Sequence, residues 1–526
     1  MLSGLIWIPV LGAILVAFWP QTLASHRYRT LALIFAIITL GLSVALSSQF
    51  LQLEPGQQFQ ESLPWLDNLG LTYRLGIDGL SLPLVVMNCL LTGVAIYSTD
   101  EEIQRPRLYY GLLLLLSAAV TGAFLAQNLL LFFLFYEVEL IPLYLLIAIW
   151  GGARRGYAAT KFLIYTAISG VLVLASYFGL AWLSGSFNFD YETVIAHTLP
   201  MGQQVVLLSL LLVGFGIKVP LFPFHTWLPD AHVEASTPMS VMLAGVLLKL
   251  GTYGLLRFGY GLFPDAWQVV APWLASWAVV SVLYGALAAI AQTDMKKMVA
   301  YSSIAHMGYV LLAMAAATPL SLIGTLMQMV SHGLISAMLF LLVGVVYSKA
   351  GSRDLNVVRG LLNPERGLPL IGTLMIVGVM ASAGIPGMVG FISEFIVFRG
   401  SFPVFPVQTL LCMVGTGLTA VYFLLLMNRA FFGRLSEAVE NLPPVTWRDR
   451  APAIFLAILI VVLGIQPQWL STWGETTITA MAPLSTTVVV KATPIPEIDD
   501  EVAAPTETLL KEALLTSSAA IALEEN

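Results

Sequence analysis

Six ionisable side chains interrupt runs of apolar residues. Glu137 lies in LLLFFLFYEVELIPLYLL, Lys218 in LLVGFGIKVPLFPF and Lys249 in VMLAGVLLKLGTYG, with His306 in SSIAHMGYVLL, His332 in MQMVSHGLISAM and Glu394 in GFISEFIVF. A charged group at the centre of a lipid bilayer costs about 3 kcal/mol on insertion scales, so such residues by default mark an ion or proton path. Burial lowers the proton affinity of a lysine and a neighbouring carboxylate raises it, so a lysine with a movable carboxylate can hold or release a proton near neutral pH. Imidazole, with a pKa of about 6.5, suits the same task. The chemistry these residue types allow is proton transfer through a hydrophobic interior.

Two of the six sit at helix breaks. In GQQVVLLSLLLVGFGIKVPLFPFHTWLPDAHVE, Gly214, Gly216, Pro220 and Pro223 surround Lys218. Each proline lacks an N–H and clashes with the preceding turn, so the helix must bend or end there. A broken helix at membrane depth is tolerated only where protein buries it or where it lines a water-filled cavity. A second break is predicted at Gly384, Pro386, Gly387 and Gly390, just before Glu394.

Glu137 and Glu139 are two residues apart, about 200° around a helix, so they do not easily share one cavity. Glu137 is nearer the centre of its run and is the expected interior group. Glu139 is open between a role in the cavity and a local pairing with a neighbouring helix. Lys249 could snorkel to the interface, but Arg257, eight residues on, is the natural interface residue, which favours an interior lysine. His306 and His332, among Ser and Gln, fit a hydrated path as well as they fit satisfied structural groups. His225 and His232, near Asp230 and Glu234, are read as a polar cap or proton-uptake vestibule, since their spacing is a poor metal signature.

The elements that position these groups follow from composition. The 526 residues are 58% hydrophobic and 10% charged, against roughly 25% charged in a soluble domain. Apolar runs of membrane length number about fourteen, making an all-α polytopic membrane protein. The approximate spans are 4–20, 29–49, 77–98, 109–126, 129–150, 161–184, 204–231, 237–258, 267–291, 297–316, 320–348, 368–398, 405–430 and 450–466. Loops after odd-numbered spans carry seventeen Arg and Lys residues, whereas those after even-numbered spans up to the twelfth carry only Arg74, Arg257 and Arg399. The positive-inside rule then puts both termini on the face opposite the basic loops. The N-terminal run lacks a basic leader and is read as a first span.

Two broken spans five apart, one with a lysine and one with a glutamate, are the pattern of an inverted repeat. The expected organisation is N-terminal helices 1–3 (1–100), a five-helix repeat of spans 4–8 (101–260), a second of spans 9–13 (261–435), a C-terminal span (436–481) and an acidic tail (482–526). Eight acids and two lysines in 491–526 account for the whole net charge of -6. That tail reads either as disordered polar chain or as a short amphipathic helix with Thr506 as its cap and Leu509, Leu510, Leu514 and Leu515 on one side. Cys89 and Cys412, both in apolar runs, are too few for an iron–sulfur or structural zinc centre. No nucleotide loop or flavin motif is visible, and nothing points to nucleic acid.

The stretches YEVELIPLYLL, GIKVPLFPFHTWLPDAHVEASTPMSVMLAGVLLKLGTYGLLRF, YSSIAHMGYVL, SHGLISAMLFLLVG and GIPGMVGFISEF resemble the antiporter-like subunits of complex I. The resemblance is to the chain-4 type, in its cyanobacterial and chloroplast NDH-1 version, over roughly residues 70–435. It implies a proton-translocating membrane-arm subunit of a quinone-reducing oxidoreductase, without a redox centre of its own. Iron–sulfur clusters and quinone, plastoquinone in the photosynthetic case, would belong to partner subunits. By position it makes Glu137 the carboxylate paired with Lys218, Lys249 the central proton-transfer lysine, and Glu394 the terminal acid reached through His306 and His332. The implied setting is a large hetero-oligomeric complex in a thylakoid membrane, or otherwise a bacterial inner membrane, with termini on the lumenal or periplasmic face. Two other readings share these residues: a subunit of a multi-subunit sodium/proton antiporter, and a scaffold whose buried charges serve assembly. The acidic tail has no counterpart in the resemblance.

Overall fold

Proline and small polar residues punctuate the helices of this chain. The computed structural model describes residues 1–19, 25–50, 56–191, 198–436, 439 and 442–481. Its helices are α1 (Leu2–Phe18), α2 (Ser25–Phe50), α3 (Ser81–Tyr97), α4 (Pro106–Leu125), α5 (Leu129–Val138), α6 (Leu140–Trp150), α7 (Arg155–Ser184) and α8 (Met201–Lys218). There follow α9 (Trp227–Glu234), α10 (Thr237–Tyr260), α11 (Pro264–Ile290), α12 (Met295–Ala316), α13 (Pro319–Ala350) and α14 (Pro369–Ser382). The series closes with α15 (Val389–Ser401), α16 (Pro406–Phe431), α17 (Trp447–Ile465) and α18 (Gln468–Met481). Prolines open α4, α11, α13, α14 and α16, where the missing N–H has no intrahelical partner anyway. Asn128 caps α5 by accepting from the Leu130 and Leu131 amides, each at 3.1 Å. That cap fixes the boundary between the fourth and fifth predicted spans, which only Gln127 and Asn128 separate.

Each predicted span contains a helix. Among the described residues ten helices are long and apolar enough to cross a membrane, and the pair α17 and α18, bent by 65°, brings the number to eleven. The shorter apolar helices α1, α3 and α14 occupy the remaining predicted places. The chain is thus a mostly helical, polytopic membrane protein. The calls on the tail, including its Thr506-capped helix, lie outside the described residues.

One element departs from an all-helical reading. Gln58–Leu66 (β1) and Leu71–Ile77 (β2) form an antiparallel hairpin whose turn ends at Gly70 with φ +66°, a left-handed conformation that costs glycine nothing. The hairpin clasps the start of α1: Glu61 accepts the Leu2 and Ser3 amides at 2.8 and 3.0 Å and pairs with the Met1 amino group. Burial pushes the Glu61 carboxyl up, but the Met1 ammonium and Ser3 outweigh it and hold the group below its usual range.

Burial separates inner from outer helices. The most apolar window of α10 is 100% buried and those of α12 and α13 are 94% and 89% buried, against 33% for α2 and 39% for α7 and α16. α4 is also 89% buried, and Lys249, His306 and His332 lie on the other three inner helices. α10 is also irregular, with π-helical turns at Leu243–Leu247 and Leu255–Tyr260 on either side of Lys249; such turns often mark functional positions.

Candidate functional site

α8 ends at Lys218, and the chain turns through Pro220 and Pro223 before a short 3-10 turn, Phe224–Thr226, leads into α9. The backbone groups freed by this break find partners. Trp227 Nε1 donates to Ile217 O at 2.8 Å, the Leu221 amide to Gly216 O at 2.9 Å and the Phe222 amide to Ser281 Oγ at 3.2 Å. This is the condition under which lipid-depth backbone can leave the helix.

Lys218 is fully buried and its Nζ forms an ion pair with Glu139, also fully buried. The expectation of a direct Glu137–Lys218 pair is thereby corrected. Pro142 offers no N–H to the carbonyl of Val138, so the helix is interrupted between α5 and α6 at Glu139. The backbone nevertheless stays helical through Glu139, whose amide donates to Phe135 O at 3.4 Å and whose carbonyl accepts the Leu143 amide at 3.3 Å, and its side chain faces Lys218. Glu137 is partly buried instead, its Oε1 packed where a Cβ on Gly170 of α7 would lie. The Lys218 ammonium also lies over the Tyr136 ring, 3.7 Å from its centroid, a cation–π contact. Tyr136 is held in turn by Ser169 Oγ at 2.7 Å, and Ser169 donates to Gly214 O of α8 at 2.7 Å. α5, α7 and α8 are thus tied together around the ammonium.

α10 passes close to the break at Gly251, where an added Cβ would lie 2.9 Å from Val219 Cγ2, 3.1 Å from Val219 N and 3.2 Å from Lys218 Cβ. Gly251→Val is therefore expected to destabilise the protein by about 1–3 kcal/mol through overpacking. Gly41→Ala, with no atom within 4 Å of the new Cβ, is expected to be neutral or to stabilise α2 by up to about 1 kcal/mol. Thermal unfolding of the isolated complex carrying each variant checks both.

Lys249 is fully buried. Its Nζ bonds to Ala244 O, within the first π-helical turn, and lies 2.7 Å from His332 Nδ1. The rings of His332 and His306 have centroids 5.6 Å apart. His306 Nδ1 is 3.3 Å from Glu394 Oε1 and His306 Nε2 is 3.1 Å from Ser382 Oγ. Thr416 Oγ1 donates to Glu394 Oε2 at 3.0 Å. A cavity of about 10 Å³ lined by Ser302, His306, Gln328, His332, Ser382 and Glu394 runs beside this series, about the volume one water needs. Glu394 stands in α15, after a break at 383–388 where Gly384 and Gly387 take φ of +72° and +92° around Pro386. Gly390 packs so closely on Ala381 O that a Cβ there would overlap it, which draws the two half-helices together.

Several side chains lie elsewhere than the sequence reading put them. His232 does not face a vestibule: it is fully buried and stacked on Phe340 at 4.3 Å, and both its ring nitrogens lack a hydrogen-bond partner. His225 is buried too, packed against Phe222 and Tyr284. Asp230 and Glu234 do belong to a polar cap, Asp230 pairing with Lys161 at 2.8 Å and Glu234 accepting the Arg154 amide at 2.8 Å. Arg257 is not an interface residue: it is 4% exposed and paired with Asp78, which is 1% exposed. Prolines and apolar context mark the Lys218 break in the sequence, but nothing there links Arg257 to Asp78 or chooses between two glutamates.

A lysine at a helix break held by a buried glutamate, and a second lysine joined through two histidines to a glutamate beyond another break, define a polytopic membrane subunit of the antiporter-like class. Residues 126–419 match the family described as NADH:quinone oxidoreductase/Mrp antiporter, transmembrane region, and the chain belongs to that family. It is 41% identical over 498 residues to an NAD(P)H-quinone oxidoreductase chain 4 of Synechococcus sp. (strain JA-3-3Ab), covering 92% of this chain and 93% of the relative. It is 39% identical over 491 residues to one from Thermosynechococcus vestitus, covering 91% of each. Among solved structures it resembles a chain of respiratory complex I from Thermus thermophilus with a TM-score of 0.82 at 27% identity, covering 92% of this chain and 100% of the other. The fold is also that of a chain of the Mrp complex from Dietzia sp., with a TM-score of 0.81 at 21% identity, covering 91% of this chain and 98% of the other.

Proposed function

We propose that this chain is a proton-translocating membrane-arm subunit of an NAD(P)H–quinone oxidoreductase of the cyanobacterial type. The observation that carries the reading is the series Lys249, His332, His306, Glu394, running through three deeply buried helices and the second broken one. Lys218, with its buried counter-charge, is the input. A proton released by Lys218 passes to Lys249 through ordered water. Lys249 passes it to His332 Nδ1, and His306 delivers it to Glu394. Each group in the series can both accept and donate a proton, which a chain of transfers requires.

The chain's own part is to bind and move protons; the clusters and the quinone belong to partner subunits, and electron transfer there supplies the energy. Glu139–Lys218 on the fifth and seventh predicted spans and His306–Glu394 on the tenth and twelfth are corresponding pairs, which supports two five-helix repeats of opposite orientation. We place the complex in the thylakoid membrane with the basic loops outside the lumen.

Sealed vesicles carrying the native complex test this. Electron transfer to quinone should acidify the lumenal compartment in sodium-free buffer. An absolute requirement for sodium would favour the antiporter reading. Unchanged translocation in assembled complexes lacking the buried charges would favour a scaffold.

A further inference from the structure

A cavity of about 940 Å³ lies apart from the proton series. It opens at the end of the bundle away from the basic loops, between the β1–β2 hairpin and α18, where α10 finishes at Tyr260 and α11 starts at Pro264. Its volume is that of a pocket for a small molecule. The helix α18 marks its depth. It leaves α17 with a bend of 65°, and its buried residues Leu470, Gly474, Thr477 and Ile478 recur at the spacing of one helix face. Trp469 beside them is 61% exposed. A helix that turns away from a span, buries one face and exposes a tryptophan lies at the headgroup level of a bilayer, where such rings collect.

Charge in the lining chooses among headgroups. Its charged side chains are Arg74, Asp78, Arg257 and Glu475. Arg257 is paired with Asp78, and Arg74 with Asp190 at 3.1 Å. Both cations among the described lining residues thus already have partners, and Glu475 opposes a phosphate or sulfonate. A quaternary ammonium would need open aromatic faces. Here the Arg257 guanidinium already lies over the Tyr191 ring, 5.6 Å from its centroid, while Tyr260 packs edge-on against Trp267 and donates its hydroxyl to Met481 O at 3.0 Å. What remains is amide and hydroxyl: Gln57, Gln60 and Gln127 on the hairpin side, and Thr476, Thr477 and Thr479 on α18. Both groups donate and accept hydrogen bonds, which suits a ligand that is itself rich in hydroxyls. Pro264, Ala480 and Met481 add an apolar wall.

We propose that this cavity binds the neutral sugar headgroup of a membrane lipid, with its hydroxyls held between the glutamines and the threonines and its glycerol end against the apolar wall. A lipid so placed joins the hairpin to α18 above the buried Asp78–Arg257 pair.

A glycosyl diacylglycerol with a photoactivatable diazirine on its sugar tests the site on the intact complex in sugar-free detergent, with crosslinks located by peptide mapping. Labelling is expected within residues 56–60 and 475–481, and it should be lost in Gln60→Trp and in Thr476→Trp. Both positions are exposed, so an indole there fills the cavity without disturbing the core, and native gel migration checks that each variant is assembled. Labelling that persists unchanged in either assembled variant overturns the site. Equal labelling by phosphatidylglycerol or phosphatidylcholine probes overturns the choice of a sugar, and equal labelling by a soluble disaccharide probe overturns that of a lipid. No labelling of the native complex, the result if a segment of a partner subunit fills the cavity, overturns the proposal outright.

Discussion

Lys249→Ala is expected to slow proton transfer through this chain about 10²-fold or more, the usual loss when a positioned acid–base group is removed, while the assembled complex remains intact. The second half of that expectation follows from energetics. Removing the ammonium leaves Ala244 O and His332 Nδ1 without the donor they now have, at about 1–3 kcal/mol for an unsatisfied buried group. It also removes a buried charge for which no acidic partner appears among the described residues, relieving about 3 kcal/mol on insertion scales. The two nearly cancel, so lost pumping would not reflect unfolding. Lys249→Arg sharpens the test: a guanidinium keeps the charge but does not release its proton, and it too should fail. Protons moved per electron in reconstituted vesicles, with native gel migration as the measure of assembly, check both variants. Wild-type yields from Lys249→Ala would exclude the lysine from the route.

Asp78→Ala should have the largest effect on stability. Asp78 Oδ1 accepts the Leu80 and Ser81 amides at 3.1 and 3.0 Å at the start of α3, and its Oδ2 takes Gln57 Nε2 at 2.8 Å and pairs with Arg257. Alanine would leave the buried Arg257 guanidinium without its counter-charge, at about 3–5 kcal/mol. It would also remove a capping carboxylate worth about 1 kcal/mol. Such a loss should lower the unfolding temperature of the purified complex markedly or prevent its assembly. The apolar pair Asp78→Leu with Arg257→Met should recover most of it, because a buried ion pair replaced by packed apolar groups is often neutral or stabilising. An Asp78→Ala complex as stable as the parent would show that Arg257 finds another partner.

How much of this was legible beforehand differs from residue to residue. Lys218 was legible because three signals coincide there: an apolar run, two prolines and a charge that hydrocarbon does not tolerate. Lys249, His306, His332 and Glu394 stood out as polar interruptions, and the structure brings them into one series because α10, α12, α13 and α15 pack together. Glu139 was not legible. A regular helix turns Glu137 and Glu139 to different sides, but which side meets Lys218 depends on how α5 and α6 pack against α7 and on where the break at Lys218 falls beside them. Neither is local. The sequence position of His232, fourteen residues beyond Lys218, suggests the surface, whereas its ring is buried against Phe340. The Asp78–Arg257 pair joins positions 179 residues apart, and one sequence carries no sign of it. The hairpin did leave a trace, since Leu71, Tyr73, Leu75 and Ile77 alternate with other residues, but amid so many apolar runs a short alternation is easily passed over.

The widened turns of α10 carry a further consequence. A π-helical turn accommodates one residue more than an α-helical turn, so Leu243–Leu247 and Leu255–Tyr260 act as slack in the angular phase of the helix. Deleting one residue within Leu243–Leu247 would let that turn close to a regular one and leave the phase of everything after it nearly unchanged, whereas deleting one within the regular turn Thr237–Met242 would rotate everything after it by about 100°. Lys249 and the segment that holds Arg257 would then face the wrong neighbours, even though every other side chain remained in the sequence. Evolution of this helix by single-residue insertion or deletion is therefore confined to its widened turns, and elsewhere substitution is the change it can absorb.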